Sequence, residues 1–195
     1  MNIIIIQART NSKRLPNKIM EEIGSTPIIR LVYNCCVASG LFTIVAVPTA
    51  DKVIPYLKEN HIPYYEGSED DVLARYYHCA LTYRAKWIYR VTADCPLLDV
   101  SNILLLINTD KSNINGCEVN GIDGQEVEAC SFAILEEAHK KAQSKHDREH
   151  VFPWIKKQVA FIPYTIPYTA VKMSVDTKED LKRVREIYAN RHPSN

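Results

Sequence analysis

Glycine is scarce in this chain of 195 residues: there are six, and none precedes Gly24. The glycine-rich P-loop, G-x-x-x-x-G-K-[ST], and the dinucleotide turn, G-x-G-x-x-G, are therefore both absent from its first strand–turn region. A nucleotide bound there has to be held by side chains. No Cys-x-x-Cys pair occurs among Cys35, Cys36, Cys79, Cys95, Cys117 and Cys130, which argues against a cysteine zinc site. An even cysteine count invites a disulfide framework, but that pattern belongs to small secreted chains. These residues read as reduced, mostly buried thiols of a cytoplasmic protein. Long apolar runs are missing too. Only four consecutive apolar residues stand before Gln7, Arg9 and Lys13, too few for a signal core or a membrane span. Nor is there an excess of one charge. Lys plus Arg is 24 and Asp plus Glu 23, a net +1, so no long polyanion such as nucleic acid is expected as a partner. With 46% hydrophobic residues the chain folds, and the expected organisation is one domain over residues 1–195.

Within that frame strands and helices alternate. Residues 3–6 are four isoleucines, a short apolar run that suits a strand buried on both faces. Thr26 and Pro27 read as the N-cap and first position of a helix whose stripe is Ile28, Leu31, Val32 and Cys35, ended by Gly40. Strands are expected at 43–47, 63–66 and 87–91, and helices at 50–60 (weakened by Pro55), 70–84 and 100–108. Beyond these, 116–124 holds three of the six glycines and reads as loop. Residues 126–132 read as strand, 133–143 and 148–158 as helices, and 160–165 and 171–175 as strands. The last helix starts at Thr177, with Asp180 as its capping-box partner, and runs to a frayed tail at 192–195. The pattern predicts an α/β fold with a mixed, mainly parallel sheet flanked by helices. In such sheets ligands bind beyond the carboxyl ends of the strands.

Four places carry candidate chemistry. Arg9, Lys13, Arg14 and Lys18 follow the first strand closely. They form either a solvated basic loop or a side-chain cradle for polyphosphate, since Arg offers a planar fork of donors and Lys a point charge. Asp94 and Asp176 each follow a strand. Alone, each suits a turn or a helix start; together they suit Mg²⁺, which takes one or two carboxylates plus phosphates and water. The acidic turn Gly67-Ser68-Glu69-Asp70-Asp71 caps a helix or reads a nucleoside. His146 and His150 stand at i and i+4, but Asp147 occupies the position where a zinc protease needs Glu. Arg148 and His150 fit a bound anion better, and an exposed helix start equally well.

Residues 6–18 match the I-x-A-R-x-x-S-x-R-L-P-x-K signature of sugar-acid cytidylyltransferases. In order, the chain also carries Glu69 to Tyr77 (E-D-D-V-L-x-R-Y-Y), Arg90 to Asp99 (R-x-T-A-D-C-P-L-x-D), the acidic Gly121 to Val127 segment, Arg148 to Val151 (R-E-H-V) and Val175 to Leu181 (V-D-x-x-E-D-L). By these motifs the chain resembles the spore-coat polysaccharide biosynthesis protein F family over nearly its whole length. The resemblance implies a glycosyltransferase-A-like (Rossmann-like) fold. It also implies transfer of CMP from CTP to a sugar, sugar acid or small phosphorylated acceptor, with Mg²⁺, or Mn²⁺ in its place, and release of pyrophosphate. It implies that Arg9, Arg14 and Lys18 grip the triphosphate, with Arg9, Lys18 and Asp94 catalytic and Ser12 on the same loop. By the same carry-over, Asp94 and Asp176 hold the metal. Ala8, Ser68, Asp70, Asp71 and Arg75 line the nucleoside pocket, and Glu126, Arg148 and His150 face the acceptor. It is compatible with a homodimer. Lys172 and Val100 depart from the family pattern, which has Arg and commonly Pro at those places. Two other readings keep the same residues: a glycosyltransferase using a nucleotide sugar, disfavoured because Asp94-Cys95-Pro96 lacks a D-x-D motif, and a non-catalytic nucleotide-binding protein.

Overall fold

The computed structural model describes residues 1–159, 161–166 and 171–193. Its centre is a seven-stranded sheet in which β1 (Asn2–Gln7) lies between β4 (Phe42–Pro48) and β6 (Trp87–Thr92), both parallel to it. β5 (Tyr64–Gly67) adds in parallel outside β4. On the other side β8 (Val127–Ser131) runs antiparallel to β6, followed by β7 (Gly116–Asn120) and β9 (Phe161–Thr165), for a spatial order β5-β4-β1-β6-β8-β7-β9. The chain winds outward from β1 through β4 to β5, then returns to lay β6 on the far side of β1. The switch point lies between the carboxyl ends of β1 and β6, where open sheets of this kind place their ligands.

The isoleucine run becomes β1 because both faces of that strand are covered. Ile4 and Ile6 join one core and Ile3 and Ile5 the other, and all four have no exposed surface. Each such side chain contributes about 1.5–3 kcal/mol of burial. The first core is closed by α1 (Ile28–Val37), α2 (Ile54–Glu59), α4 (Val100–Asn108) and α8 (Lys178–Arg191). The second is closed by α3 (Val72–Thr82), α5 (Phe132–Lys141) and α7 (Phe152–Gln158), with α6 (Lys145–His150) beside them. Asp71, Asp99 and Ser131 cap α3, α4 and α5, and Thr177 and Asp180 form the expected capping box on α8.

Several expectations are corrected. Thr26 and Pro27 do not cap a helix: they form β3 (Thr26–Pro27), paired with β2 (Glu22–Ile23), and α1 begins at Ile28. The cause is the two-residue turn Gly24-Ser25, both at positive φ, which folds the segment into a hairpin. α2 starts at Ile54, with Pro55 in its first turn, where proline is tolerated. The glycine-bearing stretch 116–124 begins with a strand, β7. Gly116 serves close packing there, since a Cβ on it would lie 2.3 Å from the Phe161 ring. The expected helix 148–158 is two helices broken at Val151, whose φ is 70°, because Pro153 starts a new first turn. Residues 171–175 form no strand. They are tied down by Met173 N–H to the Asp123 carbonyl and Val175 N–H to the Asp94 carbonyl, each 2.8 Å. The expected strand start at Ala160 and the tail positions Ser194 and Asn195 lie outside the described residues. All six cysteines are free thiols. Among the described residues no helix is long and apolar enough to cross a membrane.

Gly116→Ala forces a methyl into the Phe161 ring. Overpacking of this kind costs about 1–3 kcal/mol, so the variant should unfold at lower temperature or denaturant concentration than the parent in a melt followed by circular dichroism.

Candidate nucleotide site

The basic loop after β1 is held without glycine. Ala8 N–H reaches the Ala46 carbonyl, extending the sheet by one bond. Asp51, buried in the turn after β4, accepts from Thr10 N–H at 3.0 Å and from Val53 N–H at 2.9 Å. The loop then closes on itself: Ser12 and Asn17 N–H both donate to the Thr10 carbonyl, at 2.9 and 2.8 Å. Asn17 supplies the left-handed residue this needs, at φ 61°, which asparagine tolerates better than most. Leu15 and Ile19 are buried anchors. Arg9, Lys13 and Arg14 are left exposed, while Lys18, on a short 3₁₀ turn (Lys18–Met20), points inward.

A cavity of about 480 Å³ opens at the switch point. Its lining comes from the end of β1 and the basic loop (Gln7, Ala8, Arg9, Ser12, Lys13, Arg14, Lys18), from the end of β6 (Thr92, Ala93, Asp94) and from Asp176. Lys18 Nζ donates to Asp94 Oδ2 at 2.6 Å and to Asp176 Oδ1 at 2.9 Å. The other Asp176 oxygen meets Arg14 at 3.0 Å and Lys172 Nζ at 2.7 Å. Lys172 is shared with Asp180 at 2.9 Å, and Asp180 is paired with Arg183. Among the described residues Arg9 and Lys13 have no carboxylate partner.

Burial works against the charged form of Lys18, but Asp94 and Asp176 outweigh it and hold the ammonium above its ordinary pKa. Burial likewise disfavours the Asp176 carboxylate, yet Lys172 and Lys18 overcome it and bring the pKa from 3.8 down to about 2. Two carboxylates meeting on one cation, with no group of three possible ligands among the described residues, is a donor set that fits Mg²⁺ completed by substrate phosphates and water.

Beside this cavity, and sharing Thr92 with it, is a smaller one of about 110 Å³ lined by Arg90, Glu118, Val119, Glu126, Glu128 and Lys156. Arg90 is pinned between Gln7 Oε1 at 3.0 Å and Glu128, and Lys156 bridges Glu118 and Glu128. Glu126 is the member of the group with no ion pair among the described residues. Although Glu126 is exposed at the surface, partial desolvation of its carboxylate, with Asp123 and Glu128 nearby, raises its pKa.

The structure thus brings Ala8, Arg9, Ser12, Arg14, Lys18, Asp94 and Asp176 together and leaves other predicted residues apart. Ser68, Asp70, Asp71 and Arg75 do not line the cavity. Arg75 is buried and spent on the Ser68 carbonyl at 2.5 Å, and Ser68 Oγ accepts from Asp71 N–H. Asp71 caps α3 and binds Arg148, which also donates to the His139 and Ala142 carbonyls. Arg148 therefore ties α3 to the α5–α6 junction and is not among the residues lining the cavity that Glu126 borders. His150 borders the outer side of the Arg90–Glu128–Lys156 cluster. The sequence assigns no role to Gln7, Thr92, Arg90 and Asp51, although Arg90 and Thr92 lie in a quoted motif. The first three are polar residues on or at the end of otherwise apolar strands, a signal that was available; Asp51 has none, because its role depends on a loop 41 positions away.

A basic loop facing two cation-bridged carboxylates across the switch point of a mixed sheet is set on the Rossmann-like nucleotide-diphospho-sugar transferase fold of nucleotidyltransferases. The sequence matches the cytidylyltransferase family over residues 3–194. The chain belongs to that family and is a CTP-dependent nucleotidyltransferase. It is 32% identical to an uncharacterized protein of Methanocaldococcus jannaschii, over 96% of this chain and 83% of that one. It is 25% identical to the spore coat polysaccharide biosynthesis protein SpsF of Bacillus subtilis, over 95% and 85%. A cytidylyltransferase structure from Leptospira borgpetersenii superposes with a TM-score of 0.91 at 24% identity, covering all of this chain and 89% of the other.

The Asp176 shift carries a sign. A carboxyl whose folded pKa is depressed adds stability above its unfolded value and loses it as pH falls through the folded one. The contribution, on the order of 1–2 kcal/mol, is complete above about pH 4 and vanishes toward pH 2. Thermal stability of the parent should therefore fall more steeply than that of Asp176→Asn between those limits; parallel curves would contradict the assignment.

Proposed function

We propose that the protein transfers CMP from CTP to a sugar, sugar acid or other small acceptor for surface-polysaccharide or glycoconjugate synthesis, with Mg²⁺, or Mn²⁺ in its place. The observation that carries this reading is Lys18 bridging Asp94 and Asp176 beneath the Arg9–Ser12–Arg14 face of one cavity. The triphosphate lies along that face, where Arg9, Lys13 and Arg14 neutralise the β- and γ-phosphates. An acceptor oxygen attacks the α-phosphorus, the bond to the bridging oxygen of pyrophosphate breaks, and pyrophosphate leaves with its developing charge on the basic loop. Such a displacement needs positioning and charge neutralisation more than covalent catalysis. A metal bound by Asp94 and Asp176 supplies further charge neutralisation on the phosphate oxygens. A carboxylate or phosphate acceptor needs no general base; a hydroxyl acceptor gives up its proton, for which Asp94 and His150 are the candidates.

The acceptor sits in the smaller cavity. Its three glutamates against Arg90 and Lys156 leave an acidic excess that suits the hydroxyl groups of a sugar or sugar acid better than a phosphate group. Support for the pathway comes from the likeness to SpsF.

Pyrophosphate release with CTP, ATP, GTP and UTP and a panel of sugars, sugar acids and phosphorylated acceptors tests this directly. CTP with a sugar-class acceptor should give release; no release from any combination, with no Mg²⁺-dependent nucleotide binding, would sink it. Asp94→Asn should lower kcat by at least a hundredfold with the fold intact. Glu126→Gln should raise the KM for acceptor severalfold while the KM for CTP holds; an unchanged acceptor KM would remove Glu126 from the acceptor site.

A further inference from the structure

The two carboxylates read as metal ligands are not free to receive a metal. Asp94 Oδ2 and Asp176 Oδ1 both turn toward a single point, and the Lys18 ammonium occupies it, 2.6 and 2.9 Å away. Asp176 also meets Arg14 and Lys172. A hard cation bound at about 2.0–2.1 Å from these same oxygens would stand against Nζ, and two positive charges at that separation repel strongly. Three cations already face the two carboxylates, so an added divalent ion arrives at a site with no negative charge to spare. Each lysine is held by two carboxylates, and what sets Lys18 apart is that it lines the cavity. Lys172 is clamped between Asp176 and Asp180. Lys18 rises from the loop that borders the cavity, on a flexible four-carbon stem, and both it and Arg14 line the space next to them.

We propose that Lys18 is a stand-in cation that keeps the metal site closed until a nucleoside triphosphate arrives, whose phosphates draw Lys18 and Arg14 away from the carboxylates and deliver the divalent ion in their place. The inference rests on the nucleotide site proposed above. It predicts obligatory coupling: metal and nucleotide bind together, and free metal binds poorly. It also gives Lys18 two partners in turn, carboxylates before binding and phosphate after, so the loop needs no glycine to reorganise.

The coupling is measured with Mn²⁺, as loss of the free-ion electron paramagnetic resonance signal, on the parent, Lys18→Met and Lys18→Gln. Each is titrated alone and with α,β-methylene-CTP, the analogue's own Mn²⁺ binding being subtracted. Two variants are used because either may be less stable, and each is checked by thermal unfolding. The parent should bind Mn²⁺ at least tenfold more tightly with the analogue than alone. Either folded variant should bind Mn²⁺ alone at least tenfold more tightly than the parent does. If the parent binds Mn²⁺ equally well without the analogue, the gate is overturned. If binding requires the analogue but neither variant gains affinity alone, Lys18 is not the gate, while the nucleotide site stands. If no protein holds Mn²⁺ under any condition, the metal–nucleotide reading falls and the inference falls with it.

Discussion

One ion pair network joins the parts of the molecule that matter: Lys18 between Asp94 and Asp176. The three residues come from the loop after β1, the end of β6 and the approach to α8, far apart in sequence. Their meeting depends on topology. β6 returns to the far side of β1 and places its end next to the basic loop, and Val175 N–H docks on the Asp94 backbone, which fixes the next residue, Asp176, across from it. Removing one partner from a fully buried pair costs about 3–5 kcal/mol. Here the carboxylates keep roughly a quarter of their side-chain surface exposed, so the cost is smaller.

The shortage of glycine finds its explanation in the same loop. A P-loop presents backbone N–H groups to phosphate and needs glycine to do so. This loop spends its backbone N–H groups on Asp51 and on the Thr10 carbonyl and offers side chains instead. Its one left-handed turn falls to Asn17. Near-neutral net charge is consistent with this arrangement, because four of the 24 Lys and Arg in one loop suffice for a small polyanion without an excess over the whole chain.

Much of this was legible in the sequence. The isoleucine run announced a strand covered on both faces, the alternation of strands and helices announced the sheet, and Asp94 and Asp176 were visible as carboxylates ending apolar segments. The capping box at Thr177 and Asp180 was readable from residue types three apart. What escaped depended on tertiary packing. β7 was hidden because Gly116 resembles a loop residue until Phe161 is seen against it. The segment 171–175 had strand-like residues but is held by single bonds to Asp123 and Asp94. Arg148 carried a charge that suited an anion, and nothing local revealed Asp71 as its partner 77 positions away.

The most direct test of the central claim is a crystal structure with α,β-methylene-CTP and Mg²⁺. The account predicts the triphosphate along Arg9, Ser12 and Arg14, a metal between Asp94 and Asp176, and Lys18 Nζ moved from the carboxylates to a phosphate oxygen. A triphosphate bound elsewhere, or one bound in this cavity with Lys18 still bridging the two aspartates and no metal between them, would contradict it.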